Sequence, residues 1–405
     1  MQRSIQLAPT HDDAPSVVAA IPPQRLRLDM LDGLRGLAAL YVALFHAVLY
    51  SGYANTPRDA LSAPMQLVAF LFDYGTYAVP VFIVLSGFCL MLPLVQRNTT
   101  ELPGGFAAFV RRRAWRILPP YYAALLLALG VIALAPALQT PQGTAWDTKL
   151  PITLDAVVAH LLLIHNLRPD WIFRIDGPMW SVSVEWQIYF LFPAILLPIL
   201  RRTNMALTVV AALALGLLPH LLLPASMGLD DSHLWFLGLF AMGMAGAAIA
   251  FSDGPRALAY RTQARWRWLN IALTLVVLGG LVWNHSWMDW HAYLFEPLAG
   301  LVVMHWLVRF TAMLRSGAAR SAGLRLLESR VLVGLGGFSY SLYLIHNPIQ
   351  ALFNLESLRL PISADARLAL MLGVATPFSI GCAYVFYLLV ERRAVRMKER
   401  AARPA

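Results

Sequence analysis

The chain reads as an all-α, polytopic membrane protein, a bundle of about ten transmembrane helices with both termini cytoplasmic. Three observations predict it. Hydrophobic residues make up 59% of the chain and charged residues only 13%, against about 25% charged in an ordinary soluble domain, so polar surface is too scarce to cover the molecule in water. Ten apolar segments are long enough, or nearly so, to cross roughly 30 Å of hydrocarbon as helices: about 34–53, 75–95, 118–138, 179–200, 205–224, 232–251, 268–285, 292–309, 331–353 and 367–390. With the N-terminus inside, 25 Lys and Arg fall in cytoplasmic segments and 6 in outer loops, an asymmetry that sets orientation by the positive-inside rule. The formal charge of +10 is therefore a topology signal. Basic residues spread over six cytoplasmic segments instead of one patch argue against a nucleic-acid role.

Residues 1–27 mix Pro, Ala, Asp and Arg, and their longest apolar run, Val17–Ile21, is too short for a signal-peptide core. They read as a flexible cytoplasmic tail, residues 28–393 as one transmembrane domain, and 394–405 as a basic cytoplasmic tail. The only cysteines, Cys89 and Cys382, lie in apolar spans and imply free thiols. Leu154–Leu167, apolar but fourteen residues long, suits a re-entrant or interfacial helix on the outer face.

Within the first span Arg35 and His46 stand eleven residues apart, almost a whole number of helical turns, so they share a face about 16 Å apart along the axis. Asp32 lies one turn before Arg35 on that face. An Arg in a hydrocarbon layer costs about 2.5–3.5 kcal/mol on insertion scales and persists where it faces a polar interior, which makes this helix the wall of a site.

Before the third span FVRRRAWRILPPYY places Arg111, Arg112, Arg113 and Arg116 together, with Arg113 and Arg116 on one helical face. Such a run serves as an anchor on anionic lipid or as a phosphate clamp, since the planar guanidinium holds phosphate oxygens bidentately. At the head of the fourth span GPMWSVSVEW carries Trp180, Ser181 and Glu185. Glu185 lies about 11 Å below the outer end of its helix, a depth comparable to that of His46, so the two are expected to meet in the outer half of the bundle. Ser181 shares the face of Glu185 and reads first as a packing hydrogen bond. In the ninth span GGFSYSLYLIHNPI supplies small packing residues and His346, near the outer end, as a substrate contact. Asn166 and Trp180 in the outer segments are weaker substrate-binding candidates. Trp171, Trp287 and Trp290 read first as interfacial anchors.

LDGLRGLAAL with His46, FIVLSGF, RAWR, WSVSVEW and YSLYLIHNPI occur in one order across Leu31–Arg393, and together they resemble the acyltransferase-3 family of integral membrane O-acyltransferases. The resemblance implies transfer of an acyl group, typically acetyl, from cytoplasmic acyl-CoA to a hydroxyl of a carbohydrate or similar acceptor, at the bacterial inner membrane. It implies His46 as the catalytic centre, either the general base of a direct transfer or the nucleophile of an acyl-histidine relay, with Glu185 supporting it, Arg113 and Arg116 on the phosphates of CoA, Arg111 and Arg112 adding field, and Arg35 steering the donor or holding structure. The family's paired glutamates are here Glu185 followed by Trp186, which bears on acceptor choice. No GxSxG elbow and no metal-ligand spacing is present, so neither a serine nucleophile nor a metal is expected. The competing classes are a sugar or lipid transporter, for which the duplicated halves with interrupted helices are missing, and a non-catalytic CoA or lipid sensor.

Overall fold

The structure, a computed structural model, describes residues 28–52, 58–224, 232–283 and 291–401. The expected tail at 1–27, Trp287, Trp290 and the last four residues lie outside the described residues. Among the described residues there are helices and no strand. The ten expected segments all form long helices: α1 Asp29–Gly52, α2 Ala78–Gln96, α3 Gly105–Leu134, α4 Met179–Arg202, α5 Met205–Leu222, α6 Phe236–Phe251, α7 Ala264–Trp283, α8 Ala292–Ser316, α9 Ser339–Ser357 and α10 Ala364–Arg396, the last continuing helically to Ala401.

Eight spans pass on length and apolarity, α2 together with the short helix Ala63–Leu71 before it, and a ninth forms if α6 is joined to Pro255–Thr262 across a 95° bend. The difference from ten is α9. This helix is long enough, yet His346, Asn347, Gln350 and Asn354 are all buried within it, so its polarity comes from side chains turned inward. Groups that hydrocarbon would reject turn to protein partners inside the bundle instead: the Gln350 amide nitrogen donates to the Ala43 carbonyl at 3.0 Å and to Thr376 at 3.2 Å, tying α9 to α1 and α10. Leu154–Leu167 divides into a helix at Leu154–Leu161 and a tighter turn at His165–Leu167, with Leu154, Leu161 and Leu162 exposed. The segment does not span.

Two seams fix the frame. A Cβ added at Gly36 would lie 2.2 Å from the Leu332 carbonyl oxygen, and one at Gly336 2.0 Å from that of Asp32. Here α1 lies backbone to backbone against the helix Arg330–Gly336, and the glycines of LDGLRG and GGFSYS exist to allow it. The second seam joins α2 to α6, where a Cβ at Gly87 would lie 2.0 Å from the Phe240 carbonyl and one at Gly243 2.0 Å from that of Val84. These contacts hold α1, α2 and α9 around a polar interior.

Candidate active site

Between α1, α2, α3, α4 and α9 lies a narrow cavity of about 130 Å³. Its polar lining is Arg35, Ser86, Arg113, Arg116, Ser181 and Glu185, and its apolar walls include Val79, Phe82, Ile83 and Leu90. Arg35 donates to Asp32 at 2.8 Å and to Cys89 Sγ at 3.0 Å. Both cysteines are free thiols, and Cys89 belongs to the cavity wall. Arg113 packs over the rings of Phe109 and Tyr189, its guanidinium carbon 5.8 and 5.9 Å from their centroids. Its buried Nε has no hydrogen-bond partner. Donors left unspent in a cavity are what a ligand's oxygens require.

Glu185 accepts the Tyr189 hydroxyl at 2.6 Å, and Tyr189 lies 3.2 Å from the hydroxyl of Ser86. Ser181 pairs with the hydroxyl of Tyr343 at 2.6 Å. Tyr343 also ends the cavity, and its ring centroid is 6.2 Å from that of His346.

Beyond Tyr343 the two histidines of α1 and α9 meet. His46 Nδ1 lies 3.2 Å from His346 Nε2, with ring centroids 4.9 Å apart. The partners assign the tautomers. His346 Nδ1 lies 2.9 Å from the Leu342 carbonyl, which only accepts, so this nitrogen carries the proton. His46 Nδ1 lies 2.9 Å from the Val42 carbonyl and is protonated for the same reason. The Nδ1 proton of His46 is therefore shared between that carbonyl and the lone pair of His346 Nε2, and the lone pair of a neutral His46 sits on Nε2. His346 orients the ring of His46 in the way a carboxylate orients a catalytic histidine.

The structure thus brings Arg35, Arg113, Arg116, Ser181 and Glu185 to one cavity, and pairs His46 with His346 beyond its far end, behind Tyr343 and outside its lining. No hydrogen bond or ion pair joins Glu185 to His46 among the described residues. Their equal depth gives the axial coordinate, but Glu185 turns toward Tyr189 on its own helix. Arg111 and Arg112 lie outside the cavity lining. Trp180 packs on His233 and Phe236 at centroid distances of 4.2 and 5.8 Å. Asn166 is fully buried among Ser183 and Gln187, its Oδ1 accepting at 2.6 and 2.7 Å, and lies outside the cavity lining.

One turn beyond the histidines is a polar chain that sequence reasoning missed. Tyr50 donates to Asn347 at 2.6 Å, and Asn347 donates to Asp176 at 2.9 Å. Asp176 Oδ2 has no partner, and the nearby buried Lys149 donates to Thr148 at 2.8 Å. Burial pushes the Asp176 carboxyl up to about 7 and the Lys149 ammonium down to about 8, because each charged form loses its water. The signal was an acid at the head of α4 and a lone lysine in the connection between α3 and α4, with nothing in their spacing to join them.

Among the described residues no group of three or more His, Cys, Asp or Glu side chains is placed to hold a metal ion. No solved structure matches the chain. Residues 28–388 match the family described as an acyltransferase domain. Acyltransferase MdmB of Streptomyces mycarofaciens is 32% identical over 176 residues, 43% of this chain and 40% of its own length. The alignment therefore spans less than half of that relative. The putative membrane-bound transacylase BcsY of Komagataeibacter xylinus is 25% identical over 405 residues, 94% of this chain and 86% of its own. With the family match covering nearly all of the transmembrane bundle, the chain belongs to the acyltransferase-3 family and is a multi-pass membrane acyltransferase.

Proposed function

We propose that the protein moves an acyl group, acetyl in the first instance, from cytoplasmic acyl-CoA to a hydroxyl of a carbohydrate acceptor, in the inner membrane of a bacterium with both of its termini in the cytoplasm. The observation that carries this reading is the cavity: arginines along it, apolar walls, and Tyr343 separating it from His46, whose Nε2 carries the lone pair of the neutral ring. Arg116 at the mouth and Arg113 inside meet the donor's diphosphate, while the pantetheine arm lies against Phe82 and Ile83. Glu185, fixed by Tyr189, adds a carboxylate to the same cavity that Arg113 lines.

His46 takes the proton of the acceptor hydroxyl at Nε2 as the hydroxyl oxygen attacks the thioester carbonyl carbon. The bond from that carbon to sulfur breaks, the CoA sulfur leaves with the electron pair, and the proton passes to it. His346, by accepting from Nδ1, holds the ring and shares the positive charge that develops on it. The thioester must pass Tyr343 to reach His46, which makes its hydroxyl pair with Ser181 the barrier between the donor and the acceptor side.

The test is turnover by purified protein in lipid nanodiscs, with acetyl-CoA and a panel of oligosaccharides, following free CoA thiol and the acetylated product by mass. Acetylated product that disappears in His46→Ala supports the reading. No thiol release with any acceptor overturns it.

A further inference from the structure

A second cleft opens directly outside the first. Arg116 of α3 faces Tyr387, Glu391, Arg392 and Arg396 of α10 across a cleft of about 430 Å³ that Gly337 also lines. Arg116 lines both clefts, so the outer one is the vestibule of the inner one. Arg392 and Arg396 are one turn apart on the same face of their helix. All three guanidinium groups are exposed, and none has a hydrogen bond or an ion pair within 4 Å among the described residues. The single acid, Glu391, accepts the Ser341 hydroxyl at 2.5 Å. A π-helical turn at Tyr387–Glu391 immediately precedes Arg392, and such turns re-aim the side chains that follow. The result is three cations against one anion around an open cleft, a site for a multiply charged phosphate compound.

We propose that this cleft holds the 3′-phosphorylated nucleotide end of the donor, with Arg392 and Arg396 on the 3′-phosphate and Arg116 between it and the diphosphate. This rests on acyl-CoA being the donor. The shared wall at Arg116 favours a nucleotide over a lipid headgroup: an anion here is tethered to a chain that runs into the protein, whereas the tails of a lipid must run into the bilayer. Arg113, half-buried over Tyr189, lines the inner cavity and not the outer cleft, and serves the deeper part of the same molecule.

The experiment compares acetyl-CoA with its 3′-dephospho form as donors in phosphatidylcholine nanodiscs, by kcat/KM and by calorimetric affinity. Wild type is expected to prefer acetyl-CoA by about 10-fold to 100-fold, the range of one or two charge-assisted contacts. Arg392→Ala with Arg396→Ala should abolish that preference, and the paired Lys variant should restore part of it. A preference unchanged in the Ala variant overturns the site. So does a variant whose only change is a lost response to added phosphatidylglycerol, which assigns the cleft to a lipid headgroup. Wild type that uses both donors equally also overturns the nucleotide site and leaves the donor reading standing, whereas wild type that uses neither overturns the donor reading as well.

Discussion

Two faces of α4 show the difference between polarity that builds and polarity that works. One carries Ser183 and Gln187: Ser183 lies 2.5 Å from the Leu163 carbonyl and 2.6 Å from Asn166, and Gln187 donates to both Leu163 and Asn166. That knot uses its donors and acceptors on neighbouring protein and pins the outer segment to the bundle. The other face carries Ser181, Glu185 and Tyr189, whose hydrogen bonds leave room for a cavity and leave Arg113 Nε without a partner. Both faces are buried and polar, so burial alone does not mark a site. Unspent hydrogen-bonding capacity beside open volume does.

Substitutions separate the two. The largest effect is expected beyond the far end of the cavity: His46→Ala should lower kcat by about 10²–10⁴-fold, the usual contribution of a general base, with calorimetric acyl-CoA affinity kept. Wild-type turnover by this variant breaks the assignment. His346→Ala, which frees the ring of His46, should cost about 10-fold to 100-fold and add little in a His46→Ala background, since groups acting as one unit are not additive. On the arginine side Arg113→Ala should weaken acyl-CoA binding by about 1.5–3 kcal/mol, with Lys a partial substitute that lacks the bidentate fork. Unchanged affinity would return this arginine to packing.

On the knot face, Ser183→Ala leaves Asn166 short of a donor and should lower stability by about 1–3 kcal/mol while kcat/KM in the surviving protein stays at the wild-type value. A catalytic defect there would dissolve the distinction between the two faces. The smallest effect concerns the outer chain at Asp176. Its folded carboxyl holds a proton up to about 7, against an ordinary value of 3.8, so the folded state binds more protons than the unfolded one in that interval. Stability therefore falls as pH rises from about 4 to about 7. Asp176→Asn should flatten that part of a melting-temperature profile, and an unchanged slope would assign it to other groups.

The spans were legible because a hydrophobic run as long as a bilayer is thick rarely forms anything but a buried or membrane-crossing helix, and the shared face of Asp32 and Arg35 followed from helical periodicity alone. Spacing within one helix fixes both height and angle. Between helices it fixes height only, which is why Glu185 and His46 were expected to meet and instead turn to Tyr189 and His346. The histidine pair depends on α9 lying against α1, just after the seam that Gly36 and Gly336 make with the preceding helix Arg330–Gly336, and pairings between distant helices leave no mark in the spacing of either. Asn166 stood out as polar in an apolar run, but only its neighbours distinguish a satisfied amide from a ligand contact.

The two glycine seams have a mechanical consequence. Helices in backbone contact along Gly36 and Gly87 cannot slide or part without losing the contact that defines them, so α1 and α2 behave as a fixed jamb. On the other side Gly130 of α3 and Gly373 and Gly381 of α10 meet nothing within 4 Å, and no such contact fastens those helices at these points. Arg116, Arg392 and Arg396 stand on α3 and the end of α10, so the cations of the outer cleft lie on helices that neither glycine seam fastens.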